Sequence, residues 1–345
     1  MCFGSGITCG TLALADYERI DAVEICEEVL EAAPLFEEAN LGVVERPNVV
    51  FHVDDGRNFL LRSTTLYDLI TFEPMPMALA GVSTFYTREY YEQCLRHLAP
   101  GGLVSQWVPM HAMSPDIVRS LVHTFAAVFP EYSMWFVNAD LFLVGSNEPL
   151  RIDYAAMRQR VTQPELARAI DEAGLCGPVE LVTACLMDKP AMAAYAKGGR
   201  IMTDDRPWAE FVAPRLVYER TVQDTLAEIQ PHVTGPMPLI VPDSITPEER
   251  DAVQRRWASR IQDLEALKAY YGDTMVAARP AEGFLKSLAI DPDNCNAKYY
   301  LRKIARAQGH RLLDWQEYDR AAALLREALV YLPDAPEPNL LLADI

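Results

Sequence analysis

Short apolar runs alternate with amphipathic, helix-like stretches between residues 4 and 146, and this alternation restricts the fold more than any other feature of the chain. The apolar runs cover residues 20–25, 49–53, 67–72, 102–108, 132–137 and 141–145. The amphipathic stretches cover residues 27–40, 88–98 and 114–129. Such a pattern is typical of an α/β protein whose mostly parallel sheet is covered by helices on both faces. Because only residues 138–140 separate the last two runs, it also predicts a hairpin at the sheet edge.

The charge balance and the cysteines limit the classes of function. The chain has 345 residues, enough for about two or three domains, and its 31 Lys and Arg against 49 Asp and Glu give a formal net charge of -18. This charge repels phosphate backbones and argues against a nucleic-acid partner. The seven cysteines are scattered, without CxxC or Cys/His spacing, so we expect reduced thiols and no metal site. No apolar run reaches the ~18 residues of a membrane span, and we expect a cytoplasmic location for the chain as given.

A glycine-rich turn lies at the start of the alternating region. It has the form GxGxxxG, and its first three residues are Gly4, Ser5 and Gly6. Glycine lets the backbone approach a ligand closely, and the helix that follows directs free N–H groups toward it. The spacing departs from the GxGxxG of dinucleotide-binding dehydrogenases and suits the looser turn of nucleoside-methionine sites. We predict that these three residues hold the methionine-like part of such a ligand.

Acidic residues follow the predicted strands at one edge of the sheet. Glu24 ends the first full strand, where a carboxylate accepts both ribose hydroxyls of an adenosine; a solvated strand-end Glu is the alternative. Asp54, Asp55 and Gly56 follow the next strand, where an acid accepts the adenine amine and the glycine turns the chain away; a plain Asp-Gly turn is the alternative. Open α/β sheets bind ligands at the carboxyl ends of their strands, so these positions together predict a nucleoside site.

Glu73 follows the strand at residues 67–72 and enters the same crevice. Its carboxylate could take a proton from an amine nucleophile, which makes it the predicted catalytic base. The six histidines are dispersed, with His111 closest to the crevice, and no Ser/His/Asp or Cys/His arrangement is evident.

Residues 4–109 resemble the spermidine synthase (polyamine aminopropyltransferase) family in the order and spacing of their motifs. The shared motifs are the glycine turn, Glu24, Asp-Asp-Gly at 54–56, Tyr-Asp-Leu-Ile at 67–70 before an acid, FYTREYY at 85–91 and LAPGG at 98–102. Within the family, the chain is most similar to the branch in which a membrane domain precedes the synthase-like domain. With that branch it shares Glu-Pro at 73–74, Ala-Gly-Val at 80–82, QWVP at 106–109 and the segment 203–215.

The resemblance implies an S-adenosylmethionine-type Rossmann domain, doubly wound, without a tightly bound cofactor. Decarboxylated S-adenosylmethionine or S-adenosylmethionine would be the co-substrate, a putrescine-like amine the acceptor, and Glu73 the proton acceptor. The family carries a second acid where this chain has Pro76, so half of its amine-binding carboxylate pair is missing. The family's β-region before the glycine turn, which contributes amine-binding residues and the oligomer contact, is not found here.

Only Met1, Cys2 and Phe3 precede the glycine turn, whereas a Rossmann unit needs a buried strand of ~5 residues there. We expect a truncated first strand, either because the start codon is assigned too late or because the chain is the C-terminal part of a longer protein, which we favour. In the second case, the resemblance implies a membrane tether through the missing N-terminal domain.

The pattern predicts four regions along the chain. They are a Rossmann domain at 1–148, a helical extension completing it at 149–230, a Pro-rich linker at 231–247 and an all-α region at 248–345. In the last region, residues 288–293 and 328–334 each close a helix before a Pro-Asp turn. These two similar segments predict tetratricopeptide-like repeats from about 277, which could present a concave surface to a protein partner. An ordinary helical hairpin is the alternative.

The sequence leaves three functions open. The first is transfer of an aminopropyl group to an amine, as in polyamine biosynthesis. The second is S-adenosylmethionine-dependent methyl transfer on the same scaffold. The third is a non-catalytic scaffold, in which the nucleoside site is residual and the helical tail binds a partner.

Overall fold

A computed structural model describes residues 1–15, 17–272, 278–343 and 345, and only the main chain at 172 and 278–280. The strands are β1 (Ile20–Glu24), β2 (Val49–Val53), β3 (Tyr67–Phe72), β4 (Leu98–Pro109), β5 (Glu131–Val137), β6 (Asp140–Ser146) and β7 (Cys185–Met187). The α-helices are α1 (Ile7–Leu12), α2 (Glu27–Ala32), α3 (Glu37–Asn40), α4 (Gly56–Arg62), α5 (Arg88–Arg96), α6 (Pro115–Ala126), α7 (Tyr154–Val161), α8 (Pro164–Glu172), α9 (Gly177–Thr183), α10 (Lys189–Ala196), α11 (Trp208–Val212), α12 (Val222–Ile229), α13 (Pro247–Gly272), α14 (Ala278–Ile290), α15 (Cys295–Asp314), α16 (Tyr318–Tyr331) and α17 (Pro336–Ala343). Short 3-10 helices cover Ala33–Phe36, Val43–Glu45, Val82–Tyr86, Ala213–Leu216, Gln230–His232 and Pro242–Ser244.

The strands form two sheets. One is the parallel pair β1-β2, and the other has the order β3-β4-β6-β5-β7, in which β3 and β4 are parallel and the other neighbours antiparallel. The predicted α/β fold is present. Its larger sheet is mixed, because it contains both parallel and antiparallel neighbours. The predicted hairpin joins β5 and β6 through Asn138 and Ala139, both with positive φ. The prediction that this hairpin lies at the sheet edge is wrong. The three-residue strand β7, which is distant in sequence, pairs with β5 and forms the edge instead.

A gap one strand wide separates the two sheets. The Met1 ammonium group donates to the Thr71 carbonyl of β3 at 2.9 Å, and the Cys2 amide donates to the Val23 carbonyl of β1 at 3.0 Å. Met1 and Cys2 therefore bridge β1 and β3 near the carboxyl ends of these strands. Farther from these ends, no strand of the described residues lies between the two edges.

Prolines and capping residues determine where two of the predicted helices begin and end. Helix α6 begins at Pro115, and the Ser114 side chain accepts a hydrogen bond from the Ile117 amide, as the sequence signals indicate. The single helix predicted at 27–40 is instead α2, a 3-10 turn and α3. Pro34 lies at the break, where its missing N–H cannot continue an α-helix.

The Pro-rich segment 231–247, expected to be a linker, packs against the preceding region. The amides of Thr234 and Gly235 both donate to the Leu186 carbonyl, and Ile240 forms a bridge with Ile152. Ile240 is also buried in a small apolar cluster. The segment is therefore held by main-chain hydrogen bonds and by burial.

The C-terminal region is helical, as predicted. Successive helices α13 to α17 pack against one another, and α15 also contacts α17. The small residues Ala321, Ala322 and Ala328 of α16 are buried at these contacts. The predicted start of the repeats, at about 277, lies outside the described residues.

A disulfide and a buried ionic cluster connect this region to the preceding one. Cys176, just before α9, is bonded to Cys295 at the start of α15, so the expectation that all seven cysteines are reduced is wrong for this pair. The two cysteines are 119 residues apart, so no local spacing in the sequence indicates that they pair. Beside them, the fully buried Glu180 pairs with Arg256 of α13 at 2.5 Å, and Arg256 also pairs with Asp291 at 2.6 Å.

The described residues form no membrane-spanning helix and no metal-binding cluster. None of their helices has the length and apolarity needed to cross a bilayer. Nor do they contain a group of three or more His, Cys, Asp and Glu side chains placed to hold a metal ion.

Candidate active site

The glycine turn connects Met1–Phe3 to α1, and its backbone geometry explains the glycines. Gly4 and Gly6 have φ values of 56° and 83°, in the left-handed region that favours glycine. Gly10, the third glycine of the motif, lies inside α1, where a Cβ atom would come within 1.9 Å of the Asn40 carbonyl oxygen. The Ser5 carbonyl accepts from the Asn40 side-chain amide at 3.1 Å. The glycines thus allow the turn and α1 to pack tightly on α3.

Glu24 ends β1 and its carboxylate faces the glycine turn. One oxygen accepts from the Gly4 amide at 3.3 Å, and the other accepts from the amides of Ile25 and Cys26 at 2.9 and 3.2 Å. These bonds fix the carboxylate beside the turn. Each carboxylate oxygen has more than one acceptor position, so ribose hydroxyls could still donate to it.

Asp54, Asp55 and Gly56 follow β2, as the sequence predicts. Asp55 caps α4, because its side chain accepts from the Asn58 amide at 2.9 Å, whereas the Asp54 carboxylate pairs with Arg62. A Cβ atom at Gly56 would lie 3.0 Å from the Met1 sulfur atom. The glycine therefore allows the N-terminal segment to approach α4 closely.

Glu73 lies directly after β3 and is exposed. The Thr8 hydroxyl of α1 donates to its carboxylate at 2.8 Å, so the glycine motif and the predicted base are in direct contact. Pro76, where the family has its second acid, is also exposed in the loop that follows.

Three of the predicted acids converge on Cys2. Burial raises the pKa of the Cys2 thiol to about 11, and the nearby charges of Glu24, Asp55 and Glu73 raise it further, while the N-terminal ammonium opposes them. The structure thus brings the ends of β1, β2 and β3 together, as expected for strand ends that share one edge.

A cavity of about 550 Å³ lies in the gap between the sheets. Its walls are formed by residues 1–3, by β1 and by β3, and both Thr8 and Glu73 line it. Glu24, Asp54, Asp55 and the glycine turn do not. The cavity therefore lies mainly between the facing edges of β1 and β3, and it touches the predicted site through Glu73.

The segment 203–215 lies beside the same site. Arg57, which follows Gly56, forms a two-bond ion pair with Asp204 at 2.9 and 2.7 Å, and Asp204 also accepts from the Thr87 hydroxyl at 2.7 Å. The Glu210 side chain accepts from the Ser83 hydroxyl. This segment thereby fixes the start of α4 and the 3-10 helix at Val82–Tyr86.

Sequence reasoning missed Thr8, Arg57 and Asp140. Thr8 lies within the glycine motif and could have been noticed, but nothing in the sequence places it against Glu73. Asp140 begins β6 and is half-buried at the same end of the sheet. Burial raises the pKa of its carboxyl group and the charge of Glu73 raises it further, whereas a hydrogen bond from Trp107 and the charge of His111 oppose this change. The sequence of the hairpin does not indicate that Asp140 lies near Glu73.

These elements define a Rossmann fold of the spermidine synthase and methyltransferase type, followed by a helical C-terminal region. Residues 5–142 match the family described as spermine/spermidine synthase domain. Polyamine aminopropyltransferase 2 of Pseudomonas aeruginosa is 26% identical over 216 residues, which cover 60% of this chain and 58% of that protein. Polyamine aminopropyltransferase of Nitrosomonas europaea is 25% identical over 171 residues, covering 46% of this chain and 51% of that protein.

The chain therefore spans between about half and three fifths of the length of these relatives. Among solved structures, a probable spermidine synthase from Corynebacterium glutamicum is similar, with a TM-score of 0.38 and 21% identity over 54% of this chain and 63% of that one.

Proposed function

We propose that this chain acts as an aminopropyltransferase-like enzyme. It would bind decarboxylated S-adenosylmethionine or a related nucleoside and transfer the aminopropyl group to an amine. The observation that carries the proposal is the contact between Thr8 and Glu73, because it joins the nucleoside motif to a candidate base at one edge of the sheet. The match of residues 5–142 to the spermine/spermidine synthase domain supports the same reaction class.

The proposed roles follow from position. Gly4, Ser5 and Gly6 would hold the methionine-derived portion, since their turn lies between the carboxyl end of β1 and α1. Glu24 would accept the ribose hydroxyls. The adenine side would be contacted by Asp54 and Asp55, with Gly56 leaving room for the ring.

The proposed chemistry needs one base and a fixed geometry. A neutral amine nitrogen attacks the carbon next to the sulfonium, forming a C–N bond as the C–S bond breaks. The bonding pair goes to sulfur, which becomes the neutral thioether of methylthioadenosine. The Glu73 carboxylate accepts the proton that the new ammonium loses. Holding both reactants in line supplies most of the acceleration, because the sulfonium is already a good leaving group.

The test is calorimetry followed by turnover. We expect the folded protein to bind methylthioadenosine and to release it from decarboxylated S-adenosylmethionine only when an amine is present. Glu73→Gln should lower turnover about 100-fold or more, in the range of general base catalysis, with nearly unchanged nucleoside affinity. Glu92→Gln, an exposed change on α5, is the control.

Two results would contradict the proposal. Undiminished turnover in Glu73→Gln would remove Glu73 from its role. Absence of nucleoside binding by folded protein would end the enzyme proposal and favour the scaffold.

Methyl transfer is the second candidate, and Pro76 favours it, because a methyl acceptor does not require the second amine-binding acid. The two reactions leave different products. With S-adenosylmethionine and a range of acceptors, formation of S-adenosylhomocysteine would indicate methyl transfer, whereas methylthioadenosine from the decarboxylated donor indicates aminopropyl transfer.

For the rest of the chain we propose the boundaries 1–148, 149–230, 231–247 and 248–345 given by the sequence pattern. The tail would consist of tetratricopeptide-like hairpins that offer a surface to a protein partner. The successive packing of α13 to α17 and the buried alanines of α16 support this arrangement.

A further inference from the structure

The disulfide between Cys176 and Cys295 lies near the surface, where a reductant in solution can reach it. Cys176, between α8 and α9, is exposed, and Cys295, the first residue of α15, is half-buried. The five other cysteines are free. The pKa of each of their thiols is raised, by burial in four of them and by a hydrogen bond to Glu28 in the case of Cys26. They are therefore poor thiolates, which exchange slowly with the disulfide.

The bond fastens the turn between α14 and α15 to the turn between α8 and α9. Beside the sulfur atoms, the Cys295 amide donates to the Glu180 carboxylate of α9 at 3.2 Å. The same carboxylate pairs with Arg256 and Arg260 of α13. Reduction removes the covalent link and leaves this ionic contact, so we expect the reduced chain to stay folded while this region opens more easily.

The segment around the disulfide, residues 173–184, supports the β5-β6 hairpin. At the tip of the hairpin, the Asn138 side-chain amide donates to the Ala173 carbonyl at 3.0 Å. On β5, the Phe136 amide donates to the Ala184 carbonyl at 2.8 Å. Both ends of the segment are thus bonded to the hairpin, one on each side of Cys176 and α9.

This hairpin lies at the same end of the sheet as the candidate active site. Asp140, the first residue of β6, pairs with Pro109 at the carboxyl end of β4. On the other side of β4, Phe72 pairs with Gln106, and Glu73 follows directly. A looser hairpin would therefore loosen the strand end that flanks Glu73 across β4.

We propose that Cys176 and Cys295 form a reversible redox switch. In the oxidised state the bond holds segment 173–184 and the β5-β6 hairpin in place at the edge of the candidate site, and reduction by a dithiol loosens both. The switch acts on the structure around the site, so it does not depend on whether the reaction is aminopropyl or methyl transfer.

The chemistry is thiol–disulfide exchange with a dithiol reductant. One thiolate of the dithiol attacks the exposed Cys176 sulfur, and the S–S electron pair leaves on Cys295, which then takes up a proton. The N-terminus of the 20-residue helix α15 stabilises the departing thiolate. The second thiolate attacks the dithiol's own sulfur in the mixed disulfide, and Cys176 leaves and is protonated. The protein gains two thiols, and the dithiol is oxidised to its disulfide.

The test is hydrogen exchange, measured by mass spectrometry on wild-type protein kept in oxidised or in reduced dithiothreitol. Thiol labelling after denaturation should count five free thiols in the first sample and seven in the second. We expect the amides of residues 131–146 and 177–187 to exchange at least tenfold faster in the reduced protein, because local opening costs less once the crosslink is gone. Strand β3, which β4 separates from the hairpin, is the internal control and should not change.

Two variants separate the bond from other effects of the reductant. Cys176→Ser should exchange like reduced wild type in both samples. Cys94→Ala, which removes a free thiol of α5, should keep the full response to dithiothreitol.

Three results would overturn the inference. Seven free thiols in the oxidised sample would show that the bond does not form. A bond that dithiothreitol reduces only in denatured protein would be a permanent crosslink and not a switch. Complete reduction without faster exchange in the hairpin would show that the bond does not support it.

Discussion

Thr8 links two parts of the candidate site through one hydroxyl group. Its donation to Glu73 fixes one carboxylate oxygen, which leaves the other to receive a proton. Thr8 would therefore act as a positioning residue for the proposed base, since it contacts Glu73 rather than the reacting atoms.

We expect Thr8→Val to lower turnover about 3- to 10-fold, as expected for the loss of a hydrogen bond worth about 1 kcal/mol. Nucleoside affinity should be nearly unchanged, and the effect should appear in kcat. Thr11→Val is a matched control, because the Thr11 hydroxyl bonds only within its own helix, to the Ile7 carbonyl at 3.0 Å. Equal loss in both variants would show that the hydroxyls matter only for helix stability.

Asp140 should make the ligand-free protein less stable at neutral pH. Burial raises the pKa of its carboxyl above the unfolded value, so ionisation is costlier in the folded state. Its penalty is absent at low pH, where the group is protonated in both states. The penalty grows as the pH rises above the unfolded pKa and is complete once the pH exceeds the raised folded-state pKa. Glu73, His111, Tyr86, Tyr271 and the Trp107 N–H are the groups that face it.

We therefore expect Asp140→Asn to raise the Tm of the ligand-free protein by about 1–3 °C at pH 7–8, with the gain vanishing at about pH 4 and below. Thermal denaturation across this pH range measures it, with Glu148→Gln, an exposed change just beyond the far end of β6, as the control. A gain independent of pH would point to altered packing rather than to the charge.

Among the elements, α1 owes its close packing to one glycine, Gly10. The helix has six residues and lies against α3 with no room for a side chain at Gly10. The obstacle is a main-chain carbonyl, so a methyl group there must displace one helix from the other.

Gly10→Ala should lower the free energy of unfolding by about 1–3 kcal/mol, the usual cost of overpacking. It should also weaken methylthioadenosine binding, because the Gly4–Gly6 turn moves with α1. Urea denaturation and calorimetry measure the two effects. Ile7→Ala, at an exposed position of the same helix, should change both much less. A stable Gly10→Ala protein with normal affinity would contradict the close contact.

The elements also show what the sequence could predict. Strands β2 and β3 were found with the bounds they have in the structure, because each is a mostly apolar run that is followed directly by an acid. Glu24, Asp55 and Glu73 were placed at one edge from strand order alone, and their functional roles stay predictions. Asp140 and the pairing of Cys176 with Cys295 depend on contacts between distant segments, which local patterns do not encode.

At the scale of the whole molecule, the buried cluster around Glu180 joins α9 to the C-terminal helices. Glu180 accepts from Arg256, from Arg260 at 3.4 Å and from the Cys295 amide at 3.2 Å. Removing its charge would take away the carboxylate that Arg256 and Arg260 share. Arg256 would keep Asp291, and Arg260 would keep the Phe136 carbonyl and the nearby charge of Asp263.

We expect Glu180→Gln to lower the free energy of unfolding by about 3–5 kcal/mol, the range found when one partner of a buried ion pair is removed. Chemical denaturation of oxidised protein measures it. Lys286→Gln, which breaks an exposed pair with Glu282, should cost less than about 1 kcal/mol. Similar small losses in both variants would show that the cluster does not hold the helices in place.

The gap between β1 and β3 matters beyond the binding site. Most of each facing edge presents main-chain N–H and C=O groups without a neighbouring strand from the described part of the chain. Such edges are templates for strands of other molecules, and natural proteins usually cover or charge them. An extended segment that fills the opening beside Glu73, whether from this protein or from another molecule, would pair with these main-chain groups and join the two sheets into one.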